Sequence, residues 1–298
     1  MALLEREVTA EQSGRTVRAL LKGEWGLSTA CIGRLKRAER GITVNGARAF
    51  TSARVQAGDQ LAVDLAAAER ATAVVPIPMA LDILFEDEHL LVLNKAAPLA
   101  VIPSSLVPEE PALANGLACY LGPGAAVHTV NRLDRGTTGL LVAAKSGYIH
   151  DCLRRQLHSG DFFRQYLAVC VGAPQPPRGH IALPIGRVPG SAIKRQIDPS
   201  GKEARTDYRV LEAGALALVE LTPYTGRTHQ LRVHMAAAGC PLAGDWLYGE
   251  EDSALIPRPA LHSARLELTH PVTGVRLTLR APLPGDMKKL LERNVCPI

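Results

Sequence analysis

The chain has 298 residues, 47% of them hydrophobic, enough for roughly two domains with cores of their own. No apolar run reaches the roughly 18 residues that a membrane span needs, and the opening MALLEREVTAEQSGRT lacks the basic-then-apolar order of a signal peptide. A cytoplasmic protein is therefore expected, and a formal net charge of +5 with a pI near 9.0 favours a polyanionic partner.

Residues 1–68 read as a small α+β unit. Apolar spacing predicts helices over 15–22 and 28–37 and short strands over 42–44 and 60–63, with turns at Gly41, Asn45-Gly46 and Gly58-Asp59. The second helix and the stretch after it carry Arg34, Lys36, Arg37 and Arg40 against Glu39 alone. Such a basic patch suits RNA phosphates, or it is a solvated helix face. The Ala-rich AAAERATAVVPIPM contains two prolines and reads as a connection, placing a linker at 69–79 and a second domain at 80–298.

In that second domain, strands are predicted over 81–86, 90–94, 139–145, 166–171, 206–211, 216–221, 228–234, 265–269 and 276–279. Helical runs fall at 112–120, 148–158, 233–238 and 286–293. Runs of strands with few helices predict an α+β fold with a mixed, largely antiparallel sheet. Cys31, Cys119, Cys152, Cys170, Cys240 and Cys296 are scattered singly with no C-x-x-C pair, so reduced thiols are expected instead of a zinc site or disulfides.

Two segments concentrate chemistry. VNRLDRGTTGLLVAAK sets Asp134 between Arg132 and Arg135, before a Gly-Thr-Thr-Gly turn and a strand apolar on both faces. Flanking cations favour an ionised carboxylate, a candidate nucleophile or base, although the same triplet also describes a surface ion pair. GRTHQLRVH gathers Arg227, His229, Gln230, Arg232 and His234. On a strand the two histidines would face opposite ways, and on a helix they would lie about 140° apart, so a shared metal is not expected. On a strand Arg232 shares a face with Thr228, Gln230 and His234, a polar row able to line a cleft.

The basic helix, GITVNG and the later Gly58-Asp59 together resemble the alpha-L RNA-binding domain first known from a small-subunit ribosomal protein, with Gly41 one place closer to the strand than that pattern has it. NRLDRGTTGLLVAAK with GRTHQLRVHMAAAGCPLAGDWLYG resembles the RluA-type family of RNA pseudouridine synthases. LDILFEDEHLLVLNK, FRQYLAVCVG, GKEARTDYRVL and RPALHSARLELTHPVTG match in the family's order, so the resemblance spans about residues 80–285. It implies an isomerase acting on ribosomal or transfer RNA with no cofactor and no metal. It further implies Asp134 as catalytic aspartate, Tyr166 as active-site tyrosine, Arg232 as the basic residue that pairs with the aspartate, and Arg132 as the group filling the space of an extruded nucleotide. Arg135, Arg227, His229, Gln230 and Leu231 are expected near the substrate, and the protein is expected to act as a monomer.

Making pseudouridine breaks the bond from ribose C1′ to the base nitrogen, turns the uracil and rejoins it through C5. An ionised Asp134 serves by attacking the sugar, attacking the base or taking a ribose proton, and the sequence leaves all three open. Tyr166 offers an aromatic face to the detached base. The family pattern is broken at Asn131, where His is usual. It is also broken in NKAAPLAVIPS, which lacks the proline after Lys95, a glycine, and a histidine whose place Ile102 takes. Altered RNA preference is expected from that loop. Two rivals remain: an RNA binder without catalysis, and a glycosidase using Asp134 and Asp245 as acid and base. The second requires sugar-binding aromatics, and only 4% of the chain is aromatic.

Overall fold

The computed structural model describes residues 3–68, 74–104, 107, 109–123, 126–250 and 255–293. At the N-terminus, strands Leu3–Glu7 (β1), Ile42–Val44 (β2), Ala47–Arg48 (β3) and Gln60–Asp64 (β4) form an antiparallel sheet in the order β1-β4-β2-β3. Helices Val17–Ala19 (α1) and Thr29–Leu35 (α2) pack beside it, and α1 runs into a wide helical turn at Leu20–Glu24. Asn45 and Gly46 both take positive φ, 51° and 76°, which makes the tight hairpin between β2 and β3 that this dipeptide favours. The β1 strand escapes sequence reading because Leu4 is its only buried side chain.

The second sheet is built from Ile83–Glu86 (β5), Leu90–Lys95 (β6), His128–Thr129 (β7), Thr138–Ala144 (β8), Phe163–Val171 (β9), Arg178–Ile181 (β10), Thr206–Glu212, Leu216–Pro223, Leu261–Thr269 and Arg276–Arg280. A separate hairpin of Ile185–Arg187 (β11) and Arg195–Ile197 (β12) interrupts the series, so the last four strands are β13 to β16. The large sheet runs β10-β13-β14-β9-β15-β8-β6-β5, with β16 on β15 and β7 on β8. Among the described residues its pairings are antiparallel except β8 with β15, which gives the mixed, largely antiparallel α+β fold that the strand pattern predicts. The helices of this part are Leu113–Leu121 (α3), Gly147–Ser159 (α4), Gln230–Ala237 (α5) and Gly285–Arg293 (α6).

Period-two alternation divides the central strands between two cores. Leu90 and Val92 of β6, with Leu140, Val142 and Ala144 of β8, join a cluster that includes Tyr148, Ile149 and Leu153 of α4 and the buried residues of the N-terminal unit. Leu91, Leu93, Leu141 and Ala143 face the other way, where they pack with Leu113 and Leu117 of α3, Leu231 and Met235 of α5, and Tyr166. The N-terminal unit thus lies on the sheet face opposite Tyr166. The Tyr148 hydroxyl donates to the Trp25 carbonyl at 2.9 Å across that junction.

Residues 69–73 of the expected linker lie outside the described residues. Its remainder is bound along α3, since the Ile77 N–H donates to the Asn115 carbonyl at 3.1 Å and Asn115 Nδ2 donates to the Val75 carbonyl at 2.8 Å. One predicted element is overturned. Residues 228–234 are not a strand, because α5 starts at Gln230. The alternation of Leu231, Val233 and Met235 with polar residues imitates a strand, but Gln230 and His234 are both buried and both reach Thr206 Oγ1, at 3.0 and 2.9 Å, as residues four apart on a helix do. Arg232 therefore does not share their face.

Gly139 has φ of 104°, and a Cβ there would lie 2.3 Å from the Ser263 carbonyl oxygen of the neighbouring β15. Strain and overlap add, so Gly139→Ala is expected to lower stability by roughly 2–4 kcal/mol, read as a fall in the urea midpoint.

Candidate active site

Asp134 leaves the chain just before β8. Val130 and Asn131 run beside that strand: Val130 N–H donates to the Val142 carbonyl at 2.8 Å, Asn131 Oδ1 accepts from Val142 N–H at 2.8 Å, and Asn131 Nδ2 donates to the Leu140 carbonyl at 3.2 Å. The asparagine is thereby part of the ladder that aims the loop. The Thr137 N–H closes the following turn on the Asp134 carbonyl at 3.0 Å. With Leu133 buried beside it, the Asp134 side chain remains 28% exposed, so its carboxylate stays reachable from solvent.

The cation that meets Asp134 comes from α5. Arg232 Nη1 lies 3.6 Å from Asp134 Oδ2, while Nε and Nη2 donate to the two oxygens of Asp245 at 2.7 Å each. Asp245 is wholly buried, and its Oδ1 also accepts from the N–H groups of Leu247 and Tyr248 at 3.2 and 3.3 Å. Burial works against the Arg232 charge, but the bonds to Asp245 and the charges of Asp245 and Asp134 outweigh it and hold the guanidinium above its ordinary range. The Tyr248 ring supports the guanidinium from 5.0 Å. The Tyr248 hydroxyl accepts from the Arg195 N–H and meets His229 Nδ1, both at 2.9 Å. Burial is the main cause that lowers the His229 imidazole; the Asp134 charge opposes it, and Arg232 and Arg195 add to it. A neutral imidazole unprotonated at Nδ1 accepts a hydrogen bond from the Tyr248 O–H, so each group in the chain has its partner. His229 itself has φ of 58°, an uncommon backbone for a residue of this kind, at the point where α5 begins.

Tyr166 is buried on β9, opposite Ser263 of β15. Burial raises its phenol, and the Asp134 charge adds to the rise. Lys95, at the end of β6, is 2% exposed, and its Nζ donates to the carbonyls of Ala96 and Leu99 at 2.8 Å each, with the Arg135 carbonyl at 3.4 Å. Burial lowers its ammonium to about 7 against the pull of Asp134. The NKAAPLAVIPS loop is also tied to α3, whose Leu113 and Ala114 N–H groups donate to the Ala100 and Val101 carbonyls at 2.8 and 3.0 Å. Ile102 in that loop is exposed. Just past Asp134 in the chain, buried Arg258 donates to the Gly136 carbonyl at 3.2 Å and to both Asp286 oxygens at 2.8 and 2.9 Å, which clamps the turn.

The structure thus brings together Asp134, Arg232, Tyr166 and His229. The expectation that flanking arginines hold the aspartate is corrected for Arg135, whose Nε and Nη2 go to Glu110 at 3.1 Å each. Arg132 is exposed. Arg227 Nε donates to the Glu203 carbonyl at 2.8 Å. Gln230 has no free capacity for a substrate. Its Oε1 accepts from Thr225 Oγ1 and Arg227 N–H at 2.7 and 3.0 Å, and its Nε2 donates to the Arg205 carbonyl and Thr206 Oγ1 at 2.9 and 3.0 Å. Leu231 is a core residue. Arg34, Lys36, Arg37 and Arg40 belong to the N-terminal unit, with Arg34 on α2 and the others after it. Asp245, Tyr248, Lys95 and Arg258 went unassigned to the site in the sequence, or were misassigned there. Asp245 is not a free acid or base, because Arg232 engages both its oxygens. Among the described residues no group of His, Cys, Asp or Glu is arranged to hold a metal, and no helix is long and apolar enough to cross a membrane.

This chain belongs to the RNA pseudouridylate synthase family, whose model matches residues 89–237. It is 38% identical to the uncharacterized RNA pseudouridine synthase YjbO of Bacillus subtilis over 91% of this chain and 96% of that protein. It is 39% identical to ribosomal large subunit pseudouridine synthase D of Nitrosomonas europaea over 84% of this chain and 76% of that one. The solved structure of human RNA pseudouridylate synthase domain containing 1 superposes with a TM-score of 0.57 at 27% identity, covering 73% of this chain and 96% of that chain. The protein is therefore an isomerase acting on RNA.

Two outcomes follow from the buried charges. Asp245→Ala strands the Arg232 guanidinium and is expected to cost roughly 3–5 kcal/mol in urea unfolding. Lys95 binds a proton less readily folded, at about 7, than unfolded, at 10.5. The unfolded chain then holds more protons in that window, so this group makes the fold gain stability as pH rises from about 7 to about 10.5. Lys95→Met is expected to abolish that gain, read from urea midpoints at about pH 6 and about pH 9.

Proposed function

We propose that the protein converts specific uridines of structured RNA to pseudouridine, with Asp134 as the catalytic carboxylate and ribosomal RNA as the substrate ahead of transfer RNA. The observation that carries this reading is the Asp134 carboxylate, reachable from solvent yet held 3.6 Å from an arginine that a second, buried carboxylate keeps in place. The relatives named for the large ribosomal subunit support the choice of RNA.

The reaction balances without any added reagent. The bond from C1′ to N1 breaks, the uracil turns, C1′ bonds to C5, and the proton lost from C5 is replaced by one gained at N1. Arg232 sets a cation beside Asp134 for whichever of three roles the carboxylate fills: attack on C1′, attack on the base, or removal of a ribose proton. Tyr166 lies within the field of that carboxylate and supplies a flat face against the detached uracil. Arg132, exposed two residues before Asp134, fills the vacancy left by the extruded nucleotide, whose unstacking costs a few kcal/mol. His229, Arg227 and Arg135 serve as substrate contacts near the target uridine, while Gln230 and Leu231 act through the packing beneath them. Residues 1–68 serve as an alpha-L type RNA-binding unit, with Arg34, Lys36, Arg37 and Arg40 on phosphates. The protein works as a monomer in the cytoplasm, without metal or cofactor.

Purified protein given RNA labelled with tritium at uracil C5 is expected to release tritium in buffer containing chelator and no added cofactor. Asp134→Asn is expected to reduce that release about a thousand-fold or more while leaving the urea midpoint nearly unchanged. Release by the variant at the native rate would remove Asp134 from the chemistry.

A further inference from the structure

Ser263 is wholly buried in the middle of the large sheet, paired with Tyr166 of β9 on one side and with Gly139 of β8 on the other. Paired residues of adjacent strands put their side chains on the same face, so the Ser263 hydroxyl lies beside the Tyr166 ring. That face is the one on which the ring packs with Leu231 and Met235 of α5. On the other side Gly139 brings no side chain, and β8 approaches so closely that a Cβ there would overlap the Ser263 backbone. The hydroxyl is thereby sealed from solvent, on the floor of the site.

Among the described residues Ser263 Oγ finds no partner in hydrogen-bond geometry. A buried hydroxyl left so costs roughly 1–3 kcal/mol, a cost that alanine at the same place would not carry. Because the oxygen is sealed, RNA does not reach it, and its use lies within the protein. The polar group across from it is the Tyr166 phenol. Burial raises that phenol most; Arg164 and Ser263 pull it down, and Asp134 adds to the rise. The pull from Ser263 is that of a hydroxyl aimed at the phenol oxygen. A phenol that accepts from one side is free to donate its own hydrogen on another.

We propose that Ser263 is a positioning residue for the isomerisation: its hydroxyl donates to the Tyr166 phenol oxygen, a small turn of the ring completing the bond, and so directs the phenol hydrogen toward the reacting base. This rests on the isomerase reading above and deepens the part it gives Tyr166. The serine touches neither RNA nor Asp134 and acts through the tyrosine. Its effect therefore falls on the chemical step and spares binding.

The test is a double-mutant cycle on the full chain with Ser263→Ala and Tyr166→Phe, the second of which keeps the ring and removes only its oxygen. Tritium release from RNA labelled at uracil C5 gives kcat and KM. Ser263→Ala is expected to lower kcat about tenfold at unchanged KM in the native background, and to change nothing further once the phenol oxygen is gone. Urea midpoints of the same four proteins give a readout that needs no activity: the stability changes of the two substitutions are expected not to add. An unchanged kcat in Ser263→Ala, equal losses with and without the phenol oxygen, or additive urea changes would overturn the assignment. Absence of tritium release by the native protein contradicts the isomerase reading instead, while the urea cycle still decides whether Ser263 serves Tyr166.

Discussion

Burying Arg232 removes a full positive charge from water, at a cost of several kcal/mol that only a close counter-charge can offset. Asp245 supplies it in two short bonds, and because Asp245 is itself completely buried, neither partner can leave the other. What remains of the guanidinium is one nitrogen facing Asp134 across 3.6 Å. Exposure separates the two carboxylates: Asp245 is buried and bound by Arg232 through both oxygens, while solvent reaches Asp134. Much of the surrounding fold serves this contact. Tyr248 supports the guanidinium with its ring and ties α5 to the β11–β12 hairpin with its hydroxyl, while Lys95 and Arg258 hold the Arg135 and Gly136 carbonyls that follow Asp134.

The strands of the large sheet were legible because their apolar residues obey a period of two that the two cores require, as in Leu90–Lys95 and Thr138–Ala144. Asp134, Tyr166 and Arg232 were legible through motif resemblance, not through spacing, since they are brought together from a loop, a strand and a helix far apart in sequence. Where local pattern and tertiary context disagreed, tertiary context won. Residues 228–234 alternate like a strand, yet Gln230 and His234 find buried partners on Thr206 that only a helix allows. Asp245 invited the opposite error: a lone acidic residue resembles a candidate catalyst until its partner is known. Arg258 and Asp286 are 28 residues apart and give no local signal at all.

The position of the N-terminal unit bears on how RNA is engaged. It packs through Trp25 against Tyr148 of α4, on the sheet face opposite Tyr166. A strand of RNA touching both Arg34–Arg40 and Asp134 would have to pass around the edge of the sheet. Such a path suits a large folded RNA better than a short single strand, in keeping with a second contact that raises local concentration at the site.

The role proposed for the partly exposed Asp134 carboxylate beside Arg232 is uridine isomerisation in the cell. Its most direct test is base-resolution pseudouridine mapping of total RNA from cells carrying the intact gene, a deletion, or Asp134→Asn. At least one ribosomal RNA position is expected to be pseudouridine with the intact gene and uridine in both other strains. An identical pseudouridine map in all three would contradict it.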